Sequence, residues 1–279
     1  MAVITLLTDF GSHDMYVGVM KGVILGLEPG ARLVDLTHDV EPGDIAGAAF
    51  KLAEAWRFFP SGSVHLAVVD PGVGSARRPL AARAGGHFFV GPDNGLFTAV
   101  FEEAGEYSAR ELASEAHRLS PVSRTFHGRD IFAPAAAWLA RGTALEELGP
   151  PLRDPVRGEV PAVPRPAADG SIRAAVVHVD VFGNLVTSIR GEQLEQWFPG
   201  GEPVLEWDGG RARRQVAAYA EAPTGEPVML VGSSGRLEIS VNRDSAARVT
   251  GLGRGDGVRL RPAGRGDERR ESGTEERRG

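Results

Sequence analysis

Short apolar runs alternate with stretches of helical periodicity over the first 150 residues, and this alternation restricts the fold more than any other feature of the chain. Such a pattern is typical of right-handed βαβ units, which build a mostly parallel central sheet between helices, as in Rossmann-like α/β folds. We predict strands at 2–7, 33–36, 64–69, 80–84 and 87–90, and helices at 15–27, 45–58, 96–103 and 131–141.

Two of the predicted strands are followed by an acid. Asp9 follows the strand at 2–7, and Asp70 follows the strand at 64–69 and precedes a glycine-containing turn that leads to Arg77. Because ligands in open parallel sheets bind just beyond the carboxyl ends of the strands, we expect both carboxylates and the guanidinium to face one cleft. The alternative is that each Asp only caps a helix or forms a turn, a common role for Asp after a strand.

The composition narrows the chemistry that is possible. The chain has 279 residues, of which 42% are hydrophobic, which favours two domains over one. The absence of cysteine excludes disulfides, a thiolate nucleophile and cysteine-based zinc sites. A formal net charge of -6 argues against a nucleic-acid partner.

The sequence also bears on location. No apolar run approaches the roughly 20 residues of a membrane span, and no signal peptide precedes the first strand, so we expect a cytoplasmic protein without membrane association.

The chain divides into four predicted parts: an N-terminal α/β catalytic domain at 1–150, a proline-rich linker at 151–170, a C-terminal β domain at 171–261, and a charged, disordered tail at 262–279. The tail alternates Arg with Glu and Asp and cannot offset its ordering entropy by burial. The C-terminal domain has short strands separated by glycine and polar turns, which favours a small, mostly antiparallel fold. We predict its strands at 174–179, 185–189, 204–207, 228–231, 237–241 and 258–260.

A histidine in the N-terminal domain is a candidate partner for these acids. His127 precedes Gly128 in a turn directly before an apolar helix, where a helix N-terminus and any nearby carboxylate would affect its pKa. A lone loop histidine is usually just exposed to solvent. If this loop reaches the edge that carries Asp70 and Arg77, however, an acid, a cation and a titratable base meet there, and such a trio can orient and deprotonate a water.

Two turns of the C-terminal domain carry polar groups. One contains Asp180 and Asn184, and the other contains Ser233 and Ser234. Each turn either only joins two strands or also supplies polar groups that bind a ligand, and the spacing alone does not distinguish these two interpretations. Asp14 directly precedes an apolar helix, where a capping role and a ligand role can coexist.

Six blocks in a fixed order give the chain a strong resemblance to the S-adenosyl-L-methionine (SAM) hydroxide adenosyltransferases, the water-using relatives of fluorinases and chlorinases. The blocks are Leu7-Thr8-Asp9-Phe10-Gly11 with Asp14 and Tyr16-Val17-Gly18; Val69-Asp70-Pro71-Gly72-Val73-Gly74 with Arg77; Gly91-Pro92-Asp93-Asn94-Gly95; Thr125-Phe126-His127-Gly128-Arg129-Asp130; Phe182-Gly183-Asn184; and Ser233-Ser234-Gly235 with Leu237-Glu238-Ile239.

The resemblance implies a role for each matched site residue. Asp70, Arg77 and His127 fall on the catalytic triad that handles the water, and Asp9 falls on the carboxylate that binds the ribose hydroxyls. The remaining positions implied in substrate binding are Asp14, Asp180, Asn184, Ser233 and Ser234 for the methionine moiety or the nucleoside, Phe126 and Asn242 for the adenosine pocket, Val73 and Gly128 beside the nucleophile, and Phe182 and Glu238 within the matched blocks.

Departures from the halogenating relatives favour water as the nucleophile. Asp70 stands where the halogenases carry Tyr, and Val73 stands where they carry the Thr that contacts the halide. The fluorinase insertion before the Pro-Asn-Asn-Gly turn is also missing, since 84–87 is only a short turn. A carboxylate at the nucleophile site would repel fluoride or chloride and would assist water.

The implied reaction is hydrolysis of SAM to adenosine and L-methionine by in-line attack at the ribose C5′, without a metal or other cofactor. The resemblance also implies a homotrimer with active sites between subunits. Three alternatives stay open: a halide-using adenosyl transferase, a SAM or adenosine sensor without turnover, and a metal-dependent phosphoesterase. The phosphoesterase would use carboxylate and imidazole ligands drawn from Asp35, His38, Asp70, Asp93, Asn94 and His127.

Overall fold

A computed structural model of the protein describes residues 2–200 and 203–264. Most of the predicted charged tail, from residue 265 onward, lies outside the described residues. The chain divides into two compact units, Met1–Val160 and Pro161–Gly279. Within the described ranges, no helix is long and apolar enough to cross a membrane.

The first unit is built on a six-stranded sheet. The strands are β1 (Val3–Thr8), β2 (Arg32–Thr37), β3 (Val64–Val68), β4 (Pro79–Ala84), β5 (His87–Pro92) and β6 (Tyr107–Glu111). They lie in the order β2-β1-β3-β5-β4-β6; β2, β1, β3 and β5 are parallel, and β4 pairs antiparallel with both of its neighbours. The predicted mostly parallel sheet is therefore confirmed.

The edge strand β6 was not predicted from the sequence. Its residues Tyr-Ser-Ala-Arg-Glu bury only the central Ala109, and its single partner is β4. An edge strand with one covered side needs few apolar residues, so its hydrophobic pattern is weak.

Helices cover both faces of this sheet. They are α1 (Tyr16–Leu27), α2 (Ile45–Ala55), α3 (Thr98–Ala104) and α4 (Ala133–Ala140). Met20 and Ile24 of α1 and the small residues of α4 pack with Ile4 and Leu6 on one face. Leu52 of α2 and Phe101 of α3 pack with Leu7 and Phe89 on the other. Consecutive strand residues point to opposite faces, which is why Leu6 and Leu7 belong to different cores.

Two of the predicted helices include a turn that is not α-helical. The helix at 45–58 is α-helical only to Ala55 and closes with a 3₁₀ turn at Trp56–Phe58. The helix at 131–141 is preceded by a π-helical turn at Gly128–Phe132, directly after His127. Single π turns are frequent at functional sites, because the wider turn changes the direction of a neighbouring side chain.

The second unit is an antiparallel β structure, as predicted. Its described strands are β7 (Ile172–Val179), β8 (Leu185–Arg190), β9 (Pro203–Trp207), β10 (Gly210–Ala212), β11 (Pro227–Val231), β12 (Arg236–Val241) and β13 (Gly257–Pro262). They lie in the order β10-β9-β13-β7-β8-β12-β11, and all neighbours in this order pair antiparallel. The short helices α5 (Gly191–Trp197) and α6 (Ala246–Thr250) were not predicted from the sequence.

The first part of the predicted linker packs on the first unit. The backbone N–H of Leu152 donates to the carbonyl of Ala109 (2.9 Å), and that of Gly158 donates to Thr98 Oγ1 (2.8 Å). The non-proline residues between the prolines supply these donors. The division between the two compact units falls after residue 160, inside the predicted linker, and the limits at 150 and 170 remain predictions.

Candidate active site

The turn after β3 brings an acid and a guanidinium into contact. Val73 N–H donates to the Asp70 carbonyl and Ser75 N–H to the Gly72 carbonyl, so the chain reverses and returns Arg77 to Asp70. Arg77 Nε donates to both carboxylate oxygens of Asp70, at 2.9 and 3.0 Å, and Arg77 Nη2 donates to Oδ2. The two side chains are only 5% (Asp70) and 10% (Arg77) exposed, so this is a nearly desolvated, multidentate ion pair.

His127 completes the contact from a different loop. Arg77 Nη2 lies 2.8 Å from His127 Nδ1, so the same nitrogen contacts both the carboxylate and the imidazole. The guanidinium is also stacked 5.0 Å above the ring of Phe132. Within the described residues, its Nη1 atom is buried without a hydrogen-bond partner. The structure thus brings together Asp70, Arg77 and His127, the three residues predicted to meet at this edge.

The pKa of His127 lies below its ordinary value. Burial is the main cause, and the positive charge of Arg77 adds to it. The charges of Asp70 and Asp130 and a hydrogen bond with the Ser123 backbone act in the opposite direction but do not compensate. His127 is therefore a neutral imidazole at neutral pH.

Asp130 holds the histidine loop in place. Its buried carboxylate accepts the N–H of Ser123 (2.8 Å) and a hydrogen bond from Arg129 Nε (2.6 Å), and its carbonyl accepts the N–H of Leu119. Burial by itself raises the pKa of Asp130, but the hydrogen bonds from Arg129 and the Ser123 amide outweigh it, so the net pKa is lowered. The loop is thereby fixed by an ionised carboxylate.

The turn Gly91–Gly95 fixes both ends of the loop that carries Asp70 and Arg77. Asn94 Nδ2 donates to the carbonyl of Val69 (2.8 Å), next to Asp70. Asp93 accepts from Arg78 Nε (2.9 Å), next to Arg77, and also from Val156 N–H (2.7 Å). Asp93 is 4% exposed, so this carboxylate has a structural role in the first unit.

The residues considered for a phosphoesterase metal centre do not converge. Asp35 pairs with Lys21 Nζ (2.6 Å) and His38 Nε2 (3.0 Å), while Asp70 and Asp93 each pair with an arginine. Among residues 2–200 and 203–264, no group of three or more His, Asp or Glu side chains is arranged to hold a metal ion.

Asp9 and Asp14 lie in different surroundings. Asp9 Oδ2 accepts the N–H of Gly43 (2.9 Å), and Gly43 adjoins Pro71 in the turn after Asp70. Asp14 is exposed and lines an open groove of about 490 Å³ together with Lys21, Asp35 and His38. The described first unit therefore places Asp9 at Gly43, beside the turn after Asp70, and Asp14 in this open groove.

An aromatic cluster surrounds the backbone next to His127. The rings of Phe10, Tyr16 and Phe126 lie 5.1 to 6.0 Å from one another. A Cβ on Gly128 would lie 3.1 Å from both Met20 Sδ and the Phe126 ring, so only glycine fits comfortably there. Val73 is half-buried in the turn after Asp70.

Asp180 organises the turn between β7 and β8 in the second unit. Its carboxylate accepts the backbone N–H groups of Phe182 (2.9 Å) and Asn184 (2.8 Å) and the side-chain amide of Asn184 (2.8 Å). Val181 and Phe182 at the tip of this turn are 91% and 76% exposed. The turn thus presents two apolar side chains above a fixed carboxylate.

Glu238 of β12 lies near Asp180 and is almost fully buried. Burial raises its pKa, the charge of Asp180 adds to this effect, and the hydrogen bond from the Tyr219 hydroxyl (2.9 Å) opposes it. Burial, and after it the hydrogen bond with Glu238 and the charge of that carboxylate, raises the pKa of Tyr219 to about 12.

The turn before β12 carries the two predicted serines. Ser234 Oγ is buried without a hydrogen-bond partner in the described part of the chain, and Ser233 is exposed.

Asn242 has a structural partner. Its side-chain amide donates to the carbonyl of Ala222 (2.7 Å) and ties the end of β12 to the segment before β11. The second unit therefore groups Asp180, Asn184 and Glu238, and it places Asn242 in a backbone contact.

Several residues of these sites were missed by the sequence analysis. Phe132 and Asp130 support the triad, and Tyr219 contacts Glu238. Phe132 follows His127 by five positions, the separation that a π turn places on one side, but the sequence does not signal such a turn. Tyr219 lies in a region without periodicity and offered no signal.

Comparison with known proteins gives a consistent assignment. The model of the SAM hydroxide adenosyltransferase N-terminal domain matches residues 4–149, and the model of the C-terminal domain of that family matches residues 174–259. A protein of Salinispora tropica named (R)-S-adenosyl-L-methionine hydrolase is 42% identical over 92% of this chain and 97% of its own length. A fluorinase of an Actinoplanes species is 30% identical over 86% of this chain and 91% of its own.

A solved structure agrees with these relationships. The crystal structure of an uncharacterized conserved protein from Thermotoga maritima superposes with a TM-score of 0.87 at 35% identity, covering 92% of this chain and 99% of that one. The family models together span most of both compact units. The chain belongs to the SAM hydroxide adenosyltransferase family.

Proposed function

We propose that this protein hydrolyses SAM to adenosine and L-methionine. The main support for this proposal is that Asp70, Arg77 and His127 contact one another beyond the carboxyl end of β3. The membership of the chain in this family adds to that support. The relatives at 33–42% identity that are named (R)-S-adenosyl-L-methionine hydrolase support the same substrate and the R configuration at sulfur.

The reaction is an in-line displacement at the ribose C5′. A lone pair of the water oxygen forms the O–C5′ bond while the C5′–S bond breaks, and its electron pair returns to sulfur. Methionine leaves as a neutral thioether, and one water proton is released. Because the sulfonium is already an activated leaving group, the displacement needs no metal.

Positioning supplies the larger part of the rate. Holding the water opposite the C5′–S bond is worth about 7–11 kcal/mol, whereas proton transfer to a base contributes about 10²–10⁴-fold. The ion pair of Asp70 with Arg77, supported by Phe132 and the Gly91–Gly95 turn, supplies such a rigid position. We assign the handling of the water to the triad.

The placement of acids is also part of the proposal. Positive charge on sulfur disappears in the transition state, so a carboxylate against the sulfur would stabilise the substrate more than the transition state. In our assignment Asp9 binds the ribose hydroxyls, and Val73, Phe126 and Gly128 surround the nucleophile and the reacting carbon.

The other substrate contacts in this proposal come from both units. Asp14 of the first unit, and Asp180, Asn184, Ser233 and Ser234 of the second unit, bind the methionine moiety or the nucleoside. Phe182, Glu238 and Asn242 of the second unit add further substrate contacts.

We further propose a homotrimer in which neighbouring subunits complete each active site. Light scattering at the exit of a gel-filtration column tests the trimer, and a monomer at micromolar concentration would contradict it.

Product analysis tests the reaction. Protein incubated with SAM, a chelator and chloride or fluoride is expected to release adenosine and methionine in equal amounts. A 5′-halo-adenosine would indicate a halogenase, and binding of adenosine without turnover would indicate a sensor.

Substitutions in the triad test the role of its residues. Asp70→Ala and His127→Ala are each expected to lower turnover by at least about 10²-fold while adenosine still binds. Asp208→Asn, in an exposed turn of the second unit, is the control.

The configuration at sulfur is tested separately. Separate assays with the R and S sulfonium epimers are expected to give a higher kcat/KM for the R epimer. Equal turnover of both epimers would contradict this selectivity.

A further inference from the structure

His38, in the loop after β2, contacts the chain on both sides of Asp9. Its imidazole Nδ1 lies 2.8 Å from the hydroxyl oxygen of Thr8, the residue before Asp9. Its backbone carbonyl accepts the N–H of Gly11, two residues after Asp9 (2.8 Å). A single residue therefore holds the chain immediately before and after this acid.

The contact of the imidazole with Thr8 is buried. Thr8 is the last residue of β1 and is fully buried, and the side chain of His38 is only 10% exposed. Thr8 Oγ1 also accepts the N–H of Phe10 (3.3 Å), so the hydroxyl links the imidazole to the backbone beyond Asp9. Because a buried hydroxyl without a partner costs free energy, the imidazole fixes the rotamer of Thr8.

A carboxylate and an ammonium group lie at the other edge of the imidazole. His38 Nε2 is 3.0 Å from Asp35 Oδ1, at ion-pair distance but without the angle of a hydrogen bond in the described part of the chain. Asp35 Oδ2 accepts from Lys21 Nζ of α1 (2.6 Å). The ring is thus confined between Thr8 and a paired carboxylate, and its directional hydrogen bond is the one with Thr8.

The direction of the Asp9 carboxylate follows from these contacts. Asp9 directly follows β1, so the backbone orientation at Thr8 sets the direction in which the Asp9 side chain leaves the sheet. Asp9 Oδ2 accepts the N–H of Gly43 (2.9 Å). A carboxylate offers about four lone-pair positions, which leaves enough of them for two neighbouring hydroxyl groups. A rotation at Thr8 would turn these positions away from a diol.

We propose that His38 is a positioning residue, which orients Asp9 through Thr8 so that the carboxylate accepts hydrogen bonds from both ribose hydroxyls. This inference rests on the proposed function, in which Asp9 binds those hydroxyls. The imidazole acts through Asp9 and takes no part in the displacement at C5′. Its effect on binding is therefore confined to ligands that carry the 2′,3′-diol, and this separates the role from a general contribution to folding.

Binding of two nucleosides tests the inference. Adenosine carries the diol and 2′,3′-dideoxyadenosine lacks it, and titration calorimetry gives the Kd of each. Because hydrogen bonds to a carboxylate are strong, we expect the wild-type protein to bind adenosine about 10–10²-fold more tightly. His38→Leu should lower this ratio by about tenfold. His38→Asn keeps an amide near the Nδ1 position and should restore the ratio to within about threefold of the wild type.

Two further variants isolate the contact. Thr8→Val removes the hydroxyl at nearly constant shape, so it should lower the ratio as His38→Leu does, with no further loss in the double variant. This substitution also decides the test if His38→Leu does not fold. His13→Leu replaces an exposed histidine in the loop that carries Asp9 and should leave the ratio unchanged.

The inference and the proposed function can fail separately. Equal losses of affinity for both nucleosides in His38→Leu, or a wild-type ratio in Thr8→Val, would overturn the role of His38 even if the wild-type protein hydrolyses SAM. The expected ratios in a wild-type protein without turnover of SAM would contradict the proposed reaction and support the positioning of Asp9. A wild-type protein that does not bind adenosine would contradict both.

Discussion

Replacement of Gly74 by alanine is expected to separate the two loops that carry the triad. Gly74 has φ +76° and lies in the turn between Asp70 and Arg77. A Cβ built on it lies under 3.0 Å from the carbonyl oxygen of Arg124, in the loop of His127, whereas ordinary contact begins at 3.4 Å. Because the obstacle is backbone, neither loop can accommodate the methyl by a change of rotamer.

The structure sets the size of the expected effect. To restore ordinary contact the loops must move apart by roughly 0.5–1 Å, and a misplacement of about 1 Å at a catalytic centre costs on the order of 10²-fold in rate. We therefore expect kcat for SAM hydrolysis to fall by about 10–10²-fold. Alanine at this positive φ also lowers the free energy of unfolding by about 1–2 kcal/mol.

Gly105 provides a matched control for the backbone strain. It has φ +75° at the end of α3, and a Cβ there meets nothing within 4 Å. Gly105→Ala should also lose stability, because of its positive φ, and should keep its kcat. The assay is kcat from adenosine release, with urea unfolding for stability. A Gly74→Ala enzyme with a normal kcat, or an equal loss of kcat in Gly105→Ala, would show that the contact of Gly74 with Arg124 does not position the triad.

Two further predictions concern stability. Burial lowers the pKa of His65 to about 3, so between pH 6.5 and 3 the unfolded chain binds a proton that the native protein does not. The free energy of unfolding should therefore fall as the pH drops below 6.5, by about 3 kcal/mol at pH 4.5 from this residue, as urea titrations would measure. In Asp93→Asn, Arg78 loses its carboxylate partner and faces a side-chain amide. We expect this substitution to lower the free energy of unfolding by about 3 kcal/mol and to lower kcat more than it changes KM.

Each of these predictions has a control. His65→Phe should remove most of the pH dependence assigned to His65, and replacement of the exposed His13 should not; equal slopes in both variants would contradict the first prediction. Asp154 also pairs with Arg78 but is 83% exposed, so Asp154→Asn should cost less than about 1 kcal/mol. Equal costs for Asp93→Asn and Asp154→Asn would contradict the second.

Local patterns were sufficient to predict most of the fold. The apolar runs that became β1 and β3 and the periodicity of α1 are strong signals, because buried parallel strands and their covering helices need continuous apolar faces. The edge strand β6 and the short helix α6 carry few apolar residues and were missed. Their stability depends on partners that are distant in the sequence.

The candidate site was predicted only in part, for a related reason. Asp70 was identifiable because it follows a strand, and its ion pair with Arg77 is local. His127 is separated from Asp70 by 57 positions, and only the resemblance to a known family suggested that the two meet. The supporting contacts of Asp130 and Phe132 depend on the π turn, which has no signature in the sequence.

Isotope labelling tests whether water attacks C5′ of SAM. The protein is incubated with SAM in H₂¹⁸O with a chelator, and adenosine and methionine are analysed by mass spectrometry. We expect one ¹⁸O atom at the 5′ position of adenosine and none in methionine. Adenosine without the label, or a product halogenated at C5′ when chloride or fluoride is present, would contradict attack by water at C5′.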